Sequence, residues 1–398
     1  MTNIIVTTMS EENNGLINFF TDQWVNSLKK LPDIYVKVVN IDTCEGLDNE
    51  LDIIIENKNC ILLCYNCCGI PFTYDNYQNV WESHDIPVYT FLLDHPRNYY
   101  AILENPINNL HVICLDENHV EFIQRFYPKV NETIFLPDSG VKVCNKIKPF
   151  SDRTIDVLYC GNCQTEYKTL LPVRSLPDDG IEMYRNAIKF IHSKPSLTAE
   201  EAVEMYLDAA GINADDSMLY SLFIKDKVSR QIEDIVRREY KLLIMHALDD
   251  AGIKVDIYGG GWEDDSNPFS DNIRIHERVS PLECHNLIGN AKIDLSIMPW
   301  FKKGSSEKPF GGMLNGAVCV SDSSTYLNEN YVDGTDIILF ELDNIEKAVK
   351  DIQWLLINPD EAEIIALNGY YHALDQDGTD ARIREIVELL MGRRKYNS

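Results

Sequence analysis

From residue 305 the chain reads Ser305-Ser306-Glu307-Lys308-Pro309-Phe310-Gly311-Gly312-Met313-Leu314-Asn315-Gly316-Ala317, then runs straight into Val318-Cys319-Val320-Ser321-Asp322. A polar loop, a short apolar helix closed by glycine and a buried strand ending in aspartate are expected in that order. Such an order brings helix amides and a lysine to the mouth of an α/β crevice, where a phosphate is held. Lys308 would act as a point charge beside the hydroxyls of Ser305 and Ser306, facing the strand-terminal Asp322 and the hydroxyls of Ser323, Ser324 and Thr325. The alternative is a buried helix that uses Gly311 and Gly312 for close packing.

Other candidates also sit where strands should end. Asp94-His95-Pro96 closes an apolar run over 88–93, and a carboxylate beside an imidazole there could deprotonate or orient a hydroxyl. Asp116 is placed to cap a helix starting at Glu117, with His119 in its first turn. Gly161-Asn162 and Gly259-Gly260-Gly261-Trp262 end two further strands, where glycine permits close backbone approach and leaves amides for an anion or a sugar. No HExxH, Walker-type loop or GxSxG is present, so metal hydrolases, P-loop enzymes and serine hydrolases lose ground.

The elements that must position these residues alternate. β-rich runs are expected at 3–9, 35–41, 59–66, 87–94, 110–116 and 132–136, separated by helical periods such as 14–30, with Leu16, Ile17, Phe20, Trp24, Val25 and Leu28 on one side. A turn-rich, lysine-rich stretch after Pro137 reads as a linker. Strands then resume at 155–160, 254–258, 273–279, 293–298, 318–321 and 337–340. Between the first two of these lie helical stretches at 199–210 and 217–248, with Thr198 as a hydroxyl cap before Glu200 and Glu201. They read as an insertion that serves packing or acceptor recognition. The tail from 344 to 391 is largely helical.

This rhythm predicts an α/β protein of two Rossmann-like domains. One covers 1–148; the other covers 149–375, with a helical insertion at about 165–250. Residues 376–398 are expected as a C-terminal helix. With 36 basic and 63 acidic side chains the formal charge is -27, which repels polyanions, so nucleic acid is not expected as a partner. Neither a secretory leader nor an apolar run of about 18 residues is seen, and the reading is a soluble, cytoplasmic protein. The eleven cysteines are scattered and expected to be reduced. A zinc site from Cys64-x-x-Cys67-Cys68 and Cys160-x-x-Cys163 is disfavoured by their separation, and a redox pair at Cys160 and Cys163 is the lesser alternative.

Lys308, Phe310, Met313, Gly316, Ala317, Asp322 and Tyr326-Leu327 resemble the second-domain pattern of bacterial glycosyltransferases with the GT-B fold, of family-1 type and close to the CgeB-like group. Leu93-Asp94-His95-Pro96 and Asp116-Glu117-Asn118-His119-Val120 are similar to stretches of the first domain in the same group. The resemblance implies two Rossmann-like domains facing each other and transfer of a sugar from a nucleotide diphosphate sugar to an acceptor. It implies no metal and no cofactor beyond that donor. Lys308 would stabilise the leaving diphosphate, and His95, supported by Asp94, would activate or orient the acceptor. Donor contacts are expected from Gly161, Asn162, Gly259, Gly260, Gly261, Trp262, Ser305, Ser306, Glu307, Asn315, Gly316 and Asp322. One departure stands out: many relatives carry an acid or amide where this chain has Gly311, and in several GT-B enzymes a glutamate on this helix holds the donor ribose. Glu307 or Glu329 would have to take over that grip. The alternative is a protein of this fold that binds nucleotide sugar, or assembles with others, without turnover.

Overall fold

The computed structural model describes residues 2–57, 59–74, 76–165, 173, 177–262 and 268–394. Twelve strands fall into two six-stranded sheets, and every pairing between neighbouring strands is parallel. The chain divides into two compact units. The first comprises Met1–Val141, Ser280–Leu282 and Leu374–Ser398; the second comprises Lys142–Val279 and Glu283–Ala373. The boundary thus falls after Val141, inside the stretch read as a linker and ahead of the expected division at 148/149, and the segment from Leu374 groups with the first unit.

In the first unit the strands are β1 (Thr2–Thr8), β2 (Ile34–Asn40), β3 (Cys60–Tyr65), β4 (Val88–Leu92), β5 (Leu110–Cys114) and β6 (Glu132–Phe135). Their order in the sheet is β2-β1-β3-β4-β5-β6. β3 and β4 are buried along their whole length, as an apolar run covered on both faces must be. The helix Glu11–Leu28 lays Ile17, Phe20, Thr21, Trp24, Val25 and Leu28 against the sheet. Leu16, expected on that face, is instead 43% exposed, because at about 100° per residue it lies a quarter-turn off the Ile17–Trp24–Leu28 stripe. Trp24 stacks on Tyr65 at 3.8 Å between ring centres and meets Phe91 edge-on at 5.0 Å, locking the helix to β3 and β4.

The C-terminal helix Thr379–Arg394 packs on the helix Glu11–Leu28. Asp380 accepts from Ser27 Oγ and from Lys30 Nζ, the latter at 2.7 Å, while the buried Arg382 pairs with the buried Asp377.

In the second unit β7 (Ile155–Cys160), β8 (Val255–Tyr258), β9 (Ile273–His276), β10 (Ala291–Ser296), β11 (Val318–Asp322) and β12 (Ile338–Phe340) run in the order β12-β11-β10-β7-β8-β9. The winding reverses between β7 and β10, and a crevice outside the carboxyl ends of those two strands is where such sheets take ligands. Between β7 and β8 come the helices Asp178–Ser193, Ala199–Ala209, Asp216–Tyr220 and Val228–Asp250. Thr198 caps the second of these in a reciprocal box with Glu201, as its sequence implied. The last turns Ile232, Val236, Tyr240 and Leu248 inward. No described helix is long and apolar enough to cross a membrane.

Trp24→Ala removes the shared contact of one helix and two strands. It should lower unfolding free energy by about 3–5 kcal/mol, the range for deleting a buried tryptophan, as read by denaturant titration.

Candidate functional site

At the end of β7 the chain continues through Gly161, Asn162 and Cys163, and at the end of β8 through Gly259 to Trp262. These loops are laced together. Gly161 N–H donates to Tyr258 O at 3.0 Å, Cys163 N–H to Gly260 O at 2.9 Å, Gly260 N–H to the Asn162 side-chain oxygen at 2.9 Å, and the Trp262 indole to Gly161 O at 2.8 Å. Gly261 adopts φ of 83°, and a Cβ on it would lie 1.7 Å from Cys163 O. A Cβ on Gly259 would likewise stand 2.2 Å from Gly161 O. The close approach that glycine permits is therefore between the two loops. The Gly161 and Gly260 amides, expected to face a ligand, are engaged in that lacing, and Trp262 is buried edge-on against Tyr159.

Three cations gather where β7 ends. Lys308, half-buried at the first position of the helix Lys308–Leu314, donates through Nζ to Cys160 O at 3.1 Å and lies 5.5 Å from the Tyr159 ring centre. Lys241 reaches in from the helix Val228–Asp250 and donates to Asn162 O at 2.8 Å. One turn earlier Arg237 lays its guanidinium 3.7 Å above the Trp300 ring, which Lys241 also faces at 5.6 Å. Burial, then the charges of Arg237 and Lys308, pull the Lys241 ammonium down to about 7. Arg237, Lys241 and Trp300 were not among the expected site residues. Their signal is an i, i+4 pair of cations on one face of a long helix, and nothing local says that this face meets the end of β7.

Around Lys308 the expected ligands turn inward. Ser305 is fully buried, its hydroxyl donating to Ser306 O at 3.0 Å. Ser306 Oγ accepts from Lys308 N–H at 3.3 Å and points its own proton at the Met298 sulfur. Both hydroxyls therefore shape the entry to the helix. Asn315, buried, accepts the N–H groups of Val143 and Cys144 at 3.0 Å each and donates to Gly311 O. Gly316 has φ of 81° and packs where a Cβ would meet Arg153 and Ile147. Glu307 is half-buried and Glu329 exposed. Asp322 is buried and accepts from Met298 N–H at 2.6 Å, tying the end of β11 to the segment that follows β10. Burial raises its carboxyl to about 7.

Gly311 and Gly312 are both buried. A Cβ on Gly312 would sit 2.6 Å from the Asp294 carboxylate, and one on Gly311 would sit 3.4 Å from His285 Nε2. Gly312 thus lets the helix settle onto β10, and Gly311 lets it approach His285 on the helix Pro281–Ile288.

In the first unit His95 and Asp94 part company. His95 Nδ1 accepts from Arg97 N–H at 3.2 Å, and its ring meets His119 and Phe122 edge-on, each at 4.6 Å. Burial, with Arg97 and His119 nearby, holds the imidazole well below its usual range. A neutral ring whose Nδ1 already accepts carries its proton on Nε2, so His95 is arranged as a donor. Asp94 is exposed and hydrogen-bonds Tyr99 instead. Asp116 caps the helix Glu117–Phe126 through Asn118 N–H at 2.8 Å, and His119 is buried within its first turn.

Residues 237–388 match the family described as glycosyl transferase-like. No curated protein matches the chain. Among solved structures, a sucrose-phosphate synthase from Thermosynechococcus elongatus is 10% identical at a TM-score of 0.52, with 100% of both chains covered. An alpha-glucosyltransferase in complex with UDP is 11% identical at 0.56, covering 98% of this chain and 100% of that one. A third structure, an alpha-glucosyltransferase with UDP-glucose and DNA containing an abasic site, is 13% identical at 0.54, covering 98% and 99%. At these identities the likeness is one of fold. Architecture and matched segment agree: this chain resembles the GT-B glycosyltransferases in fold along its whole length and in sequence over residues 237–388.

Proposed function

We propose that the protein transfers a sugar, of hexose type, from a nucleotide diphosphate sugar to an acceptor hydroxyl, with the donor diphosphate held in the second unit at the end of β7. The observation that carries this reading is the convergence of Lys308, Lys241 and Arg237 on one strand end of a chain whose net charge is -27. Three cations at a sheet's switch point suit a diphosphate, and their charge grows in value as the leaving group becomes more negative along the reaction. On this reading the cations supply the charge that a metal would otherwise bring. His95, as an Nε2–H donor, would orient the acceptor rather than take its proton. The free thiols fit a reducing cytoplasm.

A second reading is a nucleotide-sugar-binding protein without turnover. It is favoured by Gly311, which offers no side chain to a ligand, and by the engaged Gly161 and Gly260 amides. Incubation with a panel of nucleotide sugars separates the two. Release of nucleoside diphosphate supports the transferase; binding without release, with and without acceptors, supports the binding protein.

Lys308→Ala should weaken nucleoside diphosphate binding by about 1.5–3 kcal/mol, the range for a hydrogen bond to a charged group. Unchanged affinity in calorimetry would remove Lys308 from the site.

Lys241 adds a pH dependence whose sign follows from its depressed value. An anion favours the protonated form, so below about pH 7 the ammonium is already present and affinity is flat. Above that, binding must draw a proton from solution, and affinity should fall by up to about tenfold per pH unit until the bound-state value is reached. Lys241→Met should flatten the profile.

His95→Ala should lower turnover while leaving donor affinity intact. A matching loss of nucleotide binding would count against an acceptor role.

A further inference from the structure

Two thiols lie beside the Lys308 anchor. Cys160 ends β7, and Cys284 sits on the helix Pro281–Ile288; both are half-buried, and both pack against the cluster of Leu158, Ile288, Ala291 and Ala317. The two thiols are neighbours on that cluster. Cys163, the neighbour that the Cys-x-x-Cys spacing suggested as partner, is buried and points its thiol at Gln164 O. Most of the other cysteines are fully buried. Cys160 also carries the carbonyl that accepts Lys308 Nζ.

We propose that Cys160 and Cys284 are a reversible dithiol–disulfide site, oxidised by a hydroperoxide, whose closure disturbs the seat of Lys308. The consequence for Lys308 rests on the donor reading above; the disulfide itself does not. The neighbouring Cys284 thiol, then burial, raises the Cys160 thiol. Either sulfur can meet the oxidant, and the balance is the same for both. Where Cys284 is first, peroxide transfers one oxygen to it, giving a sulfenic acid and one water. Cys160 sulfur then attacks the sulfenic sulfur, the S–O bond breaks, and the thiol proton leaves with the oxygen as a second water. Each thiol gives up one electron and one proton, and one peroxide is reduced to two waters. The new S–S bond, about 2.0 Å long, is far shorter than a contact between two unbonded thiols, so it draws the end of β7 toward the helix and shifts the Cys160 carbonyl under Lys308.

The test uses the full chain, treated with hydrogen peroxide, blocked with an alkylating agent and digested without reductant for peptide mass spectrometry. A Cys160–Cys284 cross-linked peptide that dithiothreitol reverses is expected, absent from both Cys284→Ser and Cys160→Ser. UDP affinity should fall about tenfold on oxidation and recover on reduction, with Cys284→Ser indifferent to peroxide. Oxidised protein in which Cys160 is unlinked, or linked to Cys163, overturns the site. A cross-link with unchanged UDP affinity overturns its effect on Lys308. Reduced protein that binds no UDP removes the donor reading, while the peptide map still decides the disulfide.

Discussion

Two ammonium groups bound to the carbonyls of a single strand end are the interaction on which the second unit's chemistry depends. Lys308 holds Cys160 O and Lys241 holds Asn162 O, so cations from two different helices are pinned to the last residues of β7 and the turn that follows. A carbonyl dipole offsets only part of the cost of taking an ammonium out of water. The fall of Lys241 to about 7 shows the shortfall. What would make up the difference is a counter-charge. The chain as a whole is strongly acidic, yet Lys308, Lys241 and Arg237 gather at this strand end, and such a local cluster of cations favours an anion.

That arrangement requires the loops after β7 and β8 to be stiff, and the glycines supply stiffness rather than freedom. Gly259 and Gly261 bring one backbone against another so closely that no side chain fits, and three backbone amides together with an indole close the gap with hydrogen bonds. Asn162 serves both purposes: its side chain accepts from Gly260 while its carbonyl accepts from Lys241. Disturbing the lacing would therefore move the lysine seat as well.

Fold and site were legible in the sequence to different depths. All twelve strands stand where β-rich runs alternate with helical periods; central ones such as β3 and β4 are buried on both faces and need uninterrupted apolar runs, which are local features. Lys308 was legible for the same reason: loop, helix start and strand are contiguous. Arg237 and Lys241 were not, since their meeting with β7 depends on how a long helix rotates onto the sheet. Adjacency in sequence misled at Asp94 and His95. Successive residues leaving a strand point to opposite sides; the histidine enters a ring nest with His119 and Phe122, and the aspartate goes outward to Tyr99.

The buried carboxyl of Asp294 completes the electrostatic argument. It lies under Gly312 within the influence of Lys308, and an ionised carboxylate there would cancel the charge that the site offers a ligand. Burial raises it to about 7 and outweighs the opposing pull of Lys308, so below neutrality it is largely a neutral acid. The cost falls on stability. The folded state keeps a proton that the unfolded chain gives up at an ordinary carboxylate value, so this contribution is fully present below about pH 4 and is lost as pH rises through about 7. Asp322, raised to about 7 by burial despite the Met298 amide, carries the same sign. Two strand acids with the same handicap, one beneath the Lys308 helix and one tying the segment that leads into it, mark a region shaped by its charge balance rather than by folding stability alone.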